Sequence, residues 1–172
     1  MNDIYLRLRE RTKFTPENCQ TLFALRNRPS HIPLTKVFGI LFLSGISILT
    51  KHREYYIDHI LSIVPLQRQL TSETLQHDIL PIEDTPQEET VSIFAENIDR
   101  LLDVMHQSLV EGKRVAVHCQ AGVSRSATVV IAYMMKYEGL SLNDAVEYVS
   151  THRPVICPNR GFLEMLSTRV SK

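Results

Sequence analysis

Apolar and polar positions along the chain follow two periods in turn, and the switches between them outline a layered fold. Short, mainly apolar runs at 37–43, 57–64 and 79–82 read as buried strands. Pro81 inside the third run suits a sheet edge or a strand end. Arg114-Val115-Ala116-Val117 reads as another buried strand. Between Glu88 and Val110 the period changes. Val91, Phe94, Ile98, Leu101, Leu102, Met105 and Leu109 recur at helical spacing, with Glu96, Asp99, Arg100 and Asp103 between them, and Gly112 ends the helix. The run 127–135 is too long for an ordinary strand and reads as a buried helix. Ser141 and Asp144 have the spacing of a capping box for a helix over 141–152, which Pro154 stops. A last helix is expected over 158–170, with Pro158 near its first turn.

Strands that alternate with helices predict an α/β architecture, a mostly parallel central sheet flanked by helices on both faces. In such sheets ligands bind beyond the carboxyl ends of the strands. Ser44-Gly45 reads as a turn after the first strand. The polar segment 67–76 reads as loop or short helix. Residues 1–36 mix charges with leucine and phenylalanine. Thr15-Pro16-Glu17 looks like a helix start, and the proline-bearing stretch 27–33 looks like an extended connector. The expected division is an N-terminal extension, 1–36, packed on a single domain, 37–172.

Composition narrows the class. A length of 172 residues suits one domain with a full core. Lysine plus arginine balances aspartate plus glutamate at 19 each, so no overall field favours nucleic acid or an anionic membrane. No apolar stretch is long enough to span a bilayer, and the first residues lack a signal-peptide core. The default expectation is a soluble, monomeric, intracellular protein, cytoplasmic and by extension nuclear. Three cysteines, Cys19, Cys119 and Cys157, are too few and too scattered for a disulfide framework, and no Cys-x-x-Cys pair suggests zinc. Cys19 and Cys157 read as ordinary small residues. A reversible disulfide from one of them to Cys119 is the alternative, motivated by the acidity expected at Cys119.

That acidity follows from the segment His118-Cys119-Gln120-Ala121-Gly122-Val123-Ser124-Arg125-Ser126. A cysteine at the tip of a strand and an arginine opening the next helix stand at the two ends of a short loop. Loop amides converge there on the positive end of the helix dipole, a ready anion site. Gly122 lets the backbone close on a ligand. Arg125 offers a planar fork for two phosphate oxygens. The same field should hold Cys119 as thiolate near neutral pH. Taken singly, the cysteine reads as a core residue and the arginine as a solvated charge. Neither reading explains both at this spacing around a glycine.

Read as HCQAGVSRSAT, the segment closely resembles the signature of dual-specificity protein phosphatases of the protein tyrosine phosphatase superfamily, of the atypical small type. The resemblance runs from about Val37 to Leu166 and leaves the first 36 residues uncovered. It implies a protein tyrosine phosphatase-like fold and hydrolysis of phosphotyrosine and phosphoserine or phosphothreonine through a phosphocysteine. Cys119 is then the nucleophile. Arg125 and the backbone of Gln120, Ala121, Gly122, Val123 and Ser124 bind the phosphate. Ser126 stabilises the departing thiolate, and His118 supports the loop and the acidity of Cys119.

A departing ester oxygen needs a proton, and three acids compete to supply it. Asp78 is expected before the third strand, at the wrong end of the sheet. Glu83 and Asp84 stand nearly even on physical grounds. The resemblance decides for Asp84, whose plainer role is a turn residue. Pro158-Asn159-Arg160-Gly161-Phe162 resembles the family's segment beside the active site, where Asn159 supports catalysis or only caps the last helix. Arg153 and Arg160 read as solvated surface charges rather than phosphoprotein contacts. The resemblance implies a phosphoprotein substrate and no metal or cofactor. The rival readings are a non-catalytic phosphate-binding module and a phosphatase for inositol lipid or RNA 5′ phosphate. A loop without lysine disfavours a multiply charged ring.

Overall fold

The computed structural model describes residues 35–65, 69–70 and 72–169. Its strands are β1 (Thr35–Phe38), β2 (Leu41–Ser44), β3 (His59–Ser62), β4 (Gln76–Ile79) and β5 (Val115–His118). They form one sheet in the order β1-β2-β5-β3-β4. β5 lies at the centre and pairs in parallel with β2 and β3. β3 and β4 are also parallel, and only the β1–β2 hairpin is antiparallel. The helices are α1 (Ile48–Lys51), α2 (Glu88–Val110), α3 (Arg125–Tyr137), α4 (Leu142–His152) and α5 (Arg160–Ser167).

The alternation of strand side chains separates two layers. Leu41, Leu43, Leu61, Val115 and Val117 face a large core with Phe94, Ile98, Leu101, Leu102 and Met105 of α2, most of α3, and Phe162 and Leu166 of α5. Phe42, Ile60 and Ala116 face the other way, onto Ile48 of α1 and the loop residues Ile57 and Leu75. Full burial of one such side chain stabilises by roughly 1.5–3 kcal/mol, so the thicker layer dominates. α3 is buried from Arg125 to Met135, with α2, α4 and α5 packed around it. No helix among the described residues is long and apolar enough to cross a membrane.

Several boundaries differ from the sequence expectation. The run 37–43 is not one strand but a hairpin. Gly39 turns it with a φ of +48°, and its apolar residues fill both arms. The second strand is shorter than 57–64: Ile57 and Val64 are buried by packing, outside the ladder. The third strand is Gln76–Ile79, not 79–82, so Pro81 follows it and Asp78 sits inside it. Its polar side chains are tolerated because they find partners across β3: Asp78 accepts from His59 at 2.9 Å, and His77 meets Ser62 at 2.7 Å. The last helix starts at Arg160 with Asn159 as its cap, which leaves Pro158 outside. The proposed helix start at 15–17, the connector 27–33 and Cys19 lie outside the described residues.

Candidate active site

The candidate loop leaves the carboxyl end of the central strand and enters α3, where the sequence placed it. Cys119 is the first residue beyond β5, and Arg125 is the first of α3. Both are buried. Ser126 Oγ donates to Cys119 Sγ at 3.2 Å. Burial alone would push the Cys119 thiol up. The Arg125 guanidinium and hydrogen bonds from the Ser126 hydroxyl and backbone outweigh it and hold the thiol below its ordinary value, against a smaller opposing push from Asp84. Arg125 Nη1 donates to the Ile82 carbonyl at 2.8 Å, while its Nε is buried without a hydrogen-bond partner. A buried unsatisfied donor is costly. An oxyanion seated in the loop is the acceptor this geometry suits.

The loop is shaped by close approach. Gly122 has a φ of +69°, and a Cβ there would lie 2.5 Å from the Ser44 carbonyl oxygen and 2.7 Å from Arg153 Nη2. Gly122→Ala is therefore expected to cost at least about 1–3 kcal/mol from backbone strain alone. Urea denaturation measures it, and an unchanged midpoint would refute the close packing of this turn.

Arg153 is the largest departure from the sequence reading. It is 1% exposed, not a solvated charge. Nε donates to the Gly122 carbonyl at 2.8 Å, Nη2 to the Ala121 carbonyl at 3.4 Å and Nη1 to Thr35 Oγ1 at 2.9 Å. It thus ties two loop carbonyls to β1 and places a cation beneath the loop. Burial lowers its pKa to about 10, and the charge of Cys119 works in the opposite direction. Arg160 is the surface charge expected, paired with Glu164 at 2.7 Å. Cys157 is buried and packed against Ala121 and Val123, and its N–H donates to the Val123 carbonyl at 2.8 Å.

Asp84 lies at the same end of the sheet. Its Oδ1 accepts from Ser124 Oγ at 2.7 Å and from Asn159 Nδ2 at 2.9 Å. Ser124 Oγ in turn accepts from the Asn159 N–H at 3.0 Å. Ser124 thus does more than offer a backbone amide: its hydroxyl fastens the acid to the loop. The two readings of Asn159 are the two ends of one amide, since its Oδ1 accepts from the Phe162 N–H at 3.0 Å and caps α5. The motif's glycine also has a reason. A Cβ at Gly161 would lie 2.8 Å from Val91 Cγ2 and 3.0 Å from Pro86 Cα, so the helix can close on the Asp84 segment. Glu83, the rival acid, is exposed.

His118 is fully buried behind the loop. Its Nε2 lies 2.5 Å from Ser62 Oγ and its Nδ1 lies 3.1 Å from the Cys119 carbonyl oxygen. Burial drives its pKa down to about 4, so the ring is neutral at physiological pH.

Residues 42–171 match the family model of the dual specificity phosphatase catalytic domain. The chain belongs to the dual-specificity phosphatase family. It is 35% identical over 133 residues to the putative tyrosine phosphatase 123R of invertebrate iridescent virus 6, a match covering 77% of this chain and 89% of that one. It is 39% identical over 94 residues to human dual specificity protein phosphatase 18, covering 55% of this chain and 48% of the relative, so it spans about half of that protein. Among solved structures, human DUSP28 superposes with a TM-score of 0.73 at 26% identity, over 82% of this chain and 95% of that one. The five-stranded mixed sheet flanked by helices is the fold of these phosphatases.

Proposed function

We propose that this chain is a cysteine-dependent protein phosphatase, hydrolysing phosphotyrosine and phosphoserine or phosphothreonine without a metal or cofactor. The observation that carries the reading is the Cys119 thiol held acidic within bonding distance of Ser126, in a loop closed by an Arg125 whose buried Nε lacks a partner. Cys119 Sγ attacks phosphorus and the phosphorus–ester oxygen bond breaks, with Asp84 giving its proton to the departing oxygen. Asp84 then takes a proton from water, whose oxygen attacks the phosphocysteine. The sulfur leaves as thiolate, steadied by the Ser126 hydroxyl, and phosphate is released. Arg125 and the amides of residues 120–124 stabilise the charge that develops on the phosphoryl oxygens.

The catalytic unit is taken as 37–172; of the extension expected over 1–36, all but Thr35 and Lys36 lies outside the described residues. The protein is placed inside the cell, in cytoplasm and nucleus, as a monomer acting on phosphoproteins rather than on nucleic acid or membrane. The lysine-free loop favours a singly phosphorylated side chain over an inositol ring. Rates on phosphotyrosine peptides, phosphothreonine peptides, inositol lipids and triphosphorylated RNA test the assignment. Higher kcat/KM on either of the last two would overturn it. No turnover of any substrate, with phosphate still bound, would make the chain a binding module.

Ser126→Ala removes one of the causes that lower the Cys119 pKa. Because the thiolate is the reactive form, the acid limb of kcat/KM should move to higher pH, and thiolate release in the second step should slow. A limb at the wild-type position would remove Ser126 from the mechanism.

A further inference from the structure

Four hydrogen bonds run end to end from the sheet edge to the active-site cysteine, through groups the reaction itself does not touch. The Leu70 N–H donates to His77 Nδ1 at 2.8 Å, and His77 Nε2 lies 2.7 Å from Ser62 Oγ. Ser62 Oγ lies 2.5 Å from His118 Nε2, and His118 Nδ1 lies 3.1 Å from the Cys119 carbonyl oxygen. The two ends fix the direction of everything between them. An amide N–H can only donate and a carbonyl can only accept. His77 Nδ1 therefore carries no proton, and the neutral ring has its hydrogen on Nε2. His118 Nδ1 must carry one, which leaves Nε2 as the acceptor. Ser62 accepts from the first ring and donates to the second. The two histidines are thus held in opposite tautomers by a single hydroxyl.

The surroundings keep both rings neutral. Ser62 and His118 are 0% exposed and His77 is 5% exposed. Burial lowers both histidines, His118 to about 4. The charged and titratable groups bearing on the chain are Asp78, His59 and His52 around His77, and Arg125 beside His118. Asp84, Arg125 and Arg153 bear on Cys119 at the far end. Gln69 Nε2 donates to the His77 carbonyl at 2.9 Å, so His77 is clasped from its ring and its backbone by consecutive residues.

We propose that Ser62 and His77 are positioning residues for Cys119, fixing the His118 tautomer whose Nδ1–H anchors the Cys119 carbonyl. The peptide between Cys119 and Gln120 is trans and planar, so anchoring its carbonyl also fixes its N–H, which points away from His118. That N–H is one of the donors assigned to the phosphate. The inference rests on the phosphatase reading only for the use made of Cys119. Its observables are a tautomer and a thiol reactivity, neither of which needs turnover.

Long-range nitrogen-15 correlation spectra of the wild-type protein should show His77 as the Nε2–H form and His118 as the Nδ1–H form. Ser62→Ala should raise the pH midpoint of Cys119 alkylation by iodoacetamide. It should also lower kcat on p-nitrophenyl phosphate by about three- to tenfold with KM little changed, the range set by one buried hydrogen bond. His77→Leu should behave alike, while His77→Gln, whose amide N–H can reach Ser62, should return towards wild type. The proposal is overturned by equal tautomers on the two rings. It is equally overturned by a Ser62→Ala variant that loses stability to urea yet keeps the wild-type alkylation midpoint. If Ser62→Ala does not fold, the wild-type tautomers decide. A wild-type chain without phosphatase activity but with these tautomers and midpoints would sink the proposed function and leave the relay standing.

Discussion

Cys119→Ser is expected to reduce hydrolysis of p-nitrophenyl phosphate by roughly 10⁵-fold or more, the scale on which removing a covalent nucleophile acts. The reason lies in the acid–base balance of the loop. Arg125 and the Ser126 hydrogen bonds hold the thiol below its ordinary value despite complete burial. An alcohol starts far less acidic than a thiol, so the same field leaves it protonated and unreactive. Serine nonetheless fits the space and can accept the Ser126 hydrogen bond. Phosphate binding should therefore survive the substitution, as followed by calorimetry with inorganic phosphate. Retained wild-type turnover would refute the phosphocysteine mechanism outright.

Asp84→Asn is expected to slow turnover by about 10²–10⁴-fold, the usual worth of a positioned general acid. Asparagine keeps an oxygen to accept from Ser124 and Asn159, so the loop should stay assembled. The loss should grow with the basicity of the leaving oxygen: smallest for p-nitrophenol, larger for phosphotyrosine, largest for phosphothreonine. A series of aryl phosphates compared for kcat/KM measures this slope. A variant with the wild-type slope would place the proton elsewhere, and Glu83→Gln is the control expected to change little.

The parts of the fold and site that could be read in advance are those whose determinants are local. The helix Glu88–Val110 has the expected bounds because its apolar stripe and ends are set by its own residues. Ser141 caps α4 through the Asp144 N–H as the spacing implied. Cys119 and Arg125 are likewise joined by a short loop. The misreadings share the opposite character. Arg153 looks like any surface arginine because its partners are carbonyls some thirty residues away, at Ala121 and Gly122. β4 was displaced because Gln76, His77 and Asp78 look like a loop, and only the side chains of β3 make them a strand. The Ser124 hydroxyl reaches an aspartate 40 residues before it, which no spacing rule within the loop reveals. Continuous apolar sequence across Gly39 concealed the hairpin, since burial of both arms leaves no polar break.

The placement of β5 has a kinetic consequence. Its partners come from Leu41–Ser44 and His59–Ser62, each separated from it by a long stretch of chain that includes α2. Pairing of this kind pays its loop-closure entropy before it gains any contacts, and such sheets fold slowly. The active-site loop begins where β5 ends. It also needs Ser44 against Gly122 and Thr35 on Arg153, both from the amino-terminal side of the sheet. The anion cradle is thus completed only when the most distant segments have docked. Helical structure would return early on refolding, while competence to hold phosphate arrives with the final step.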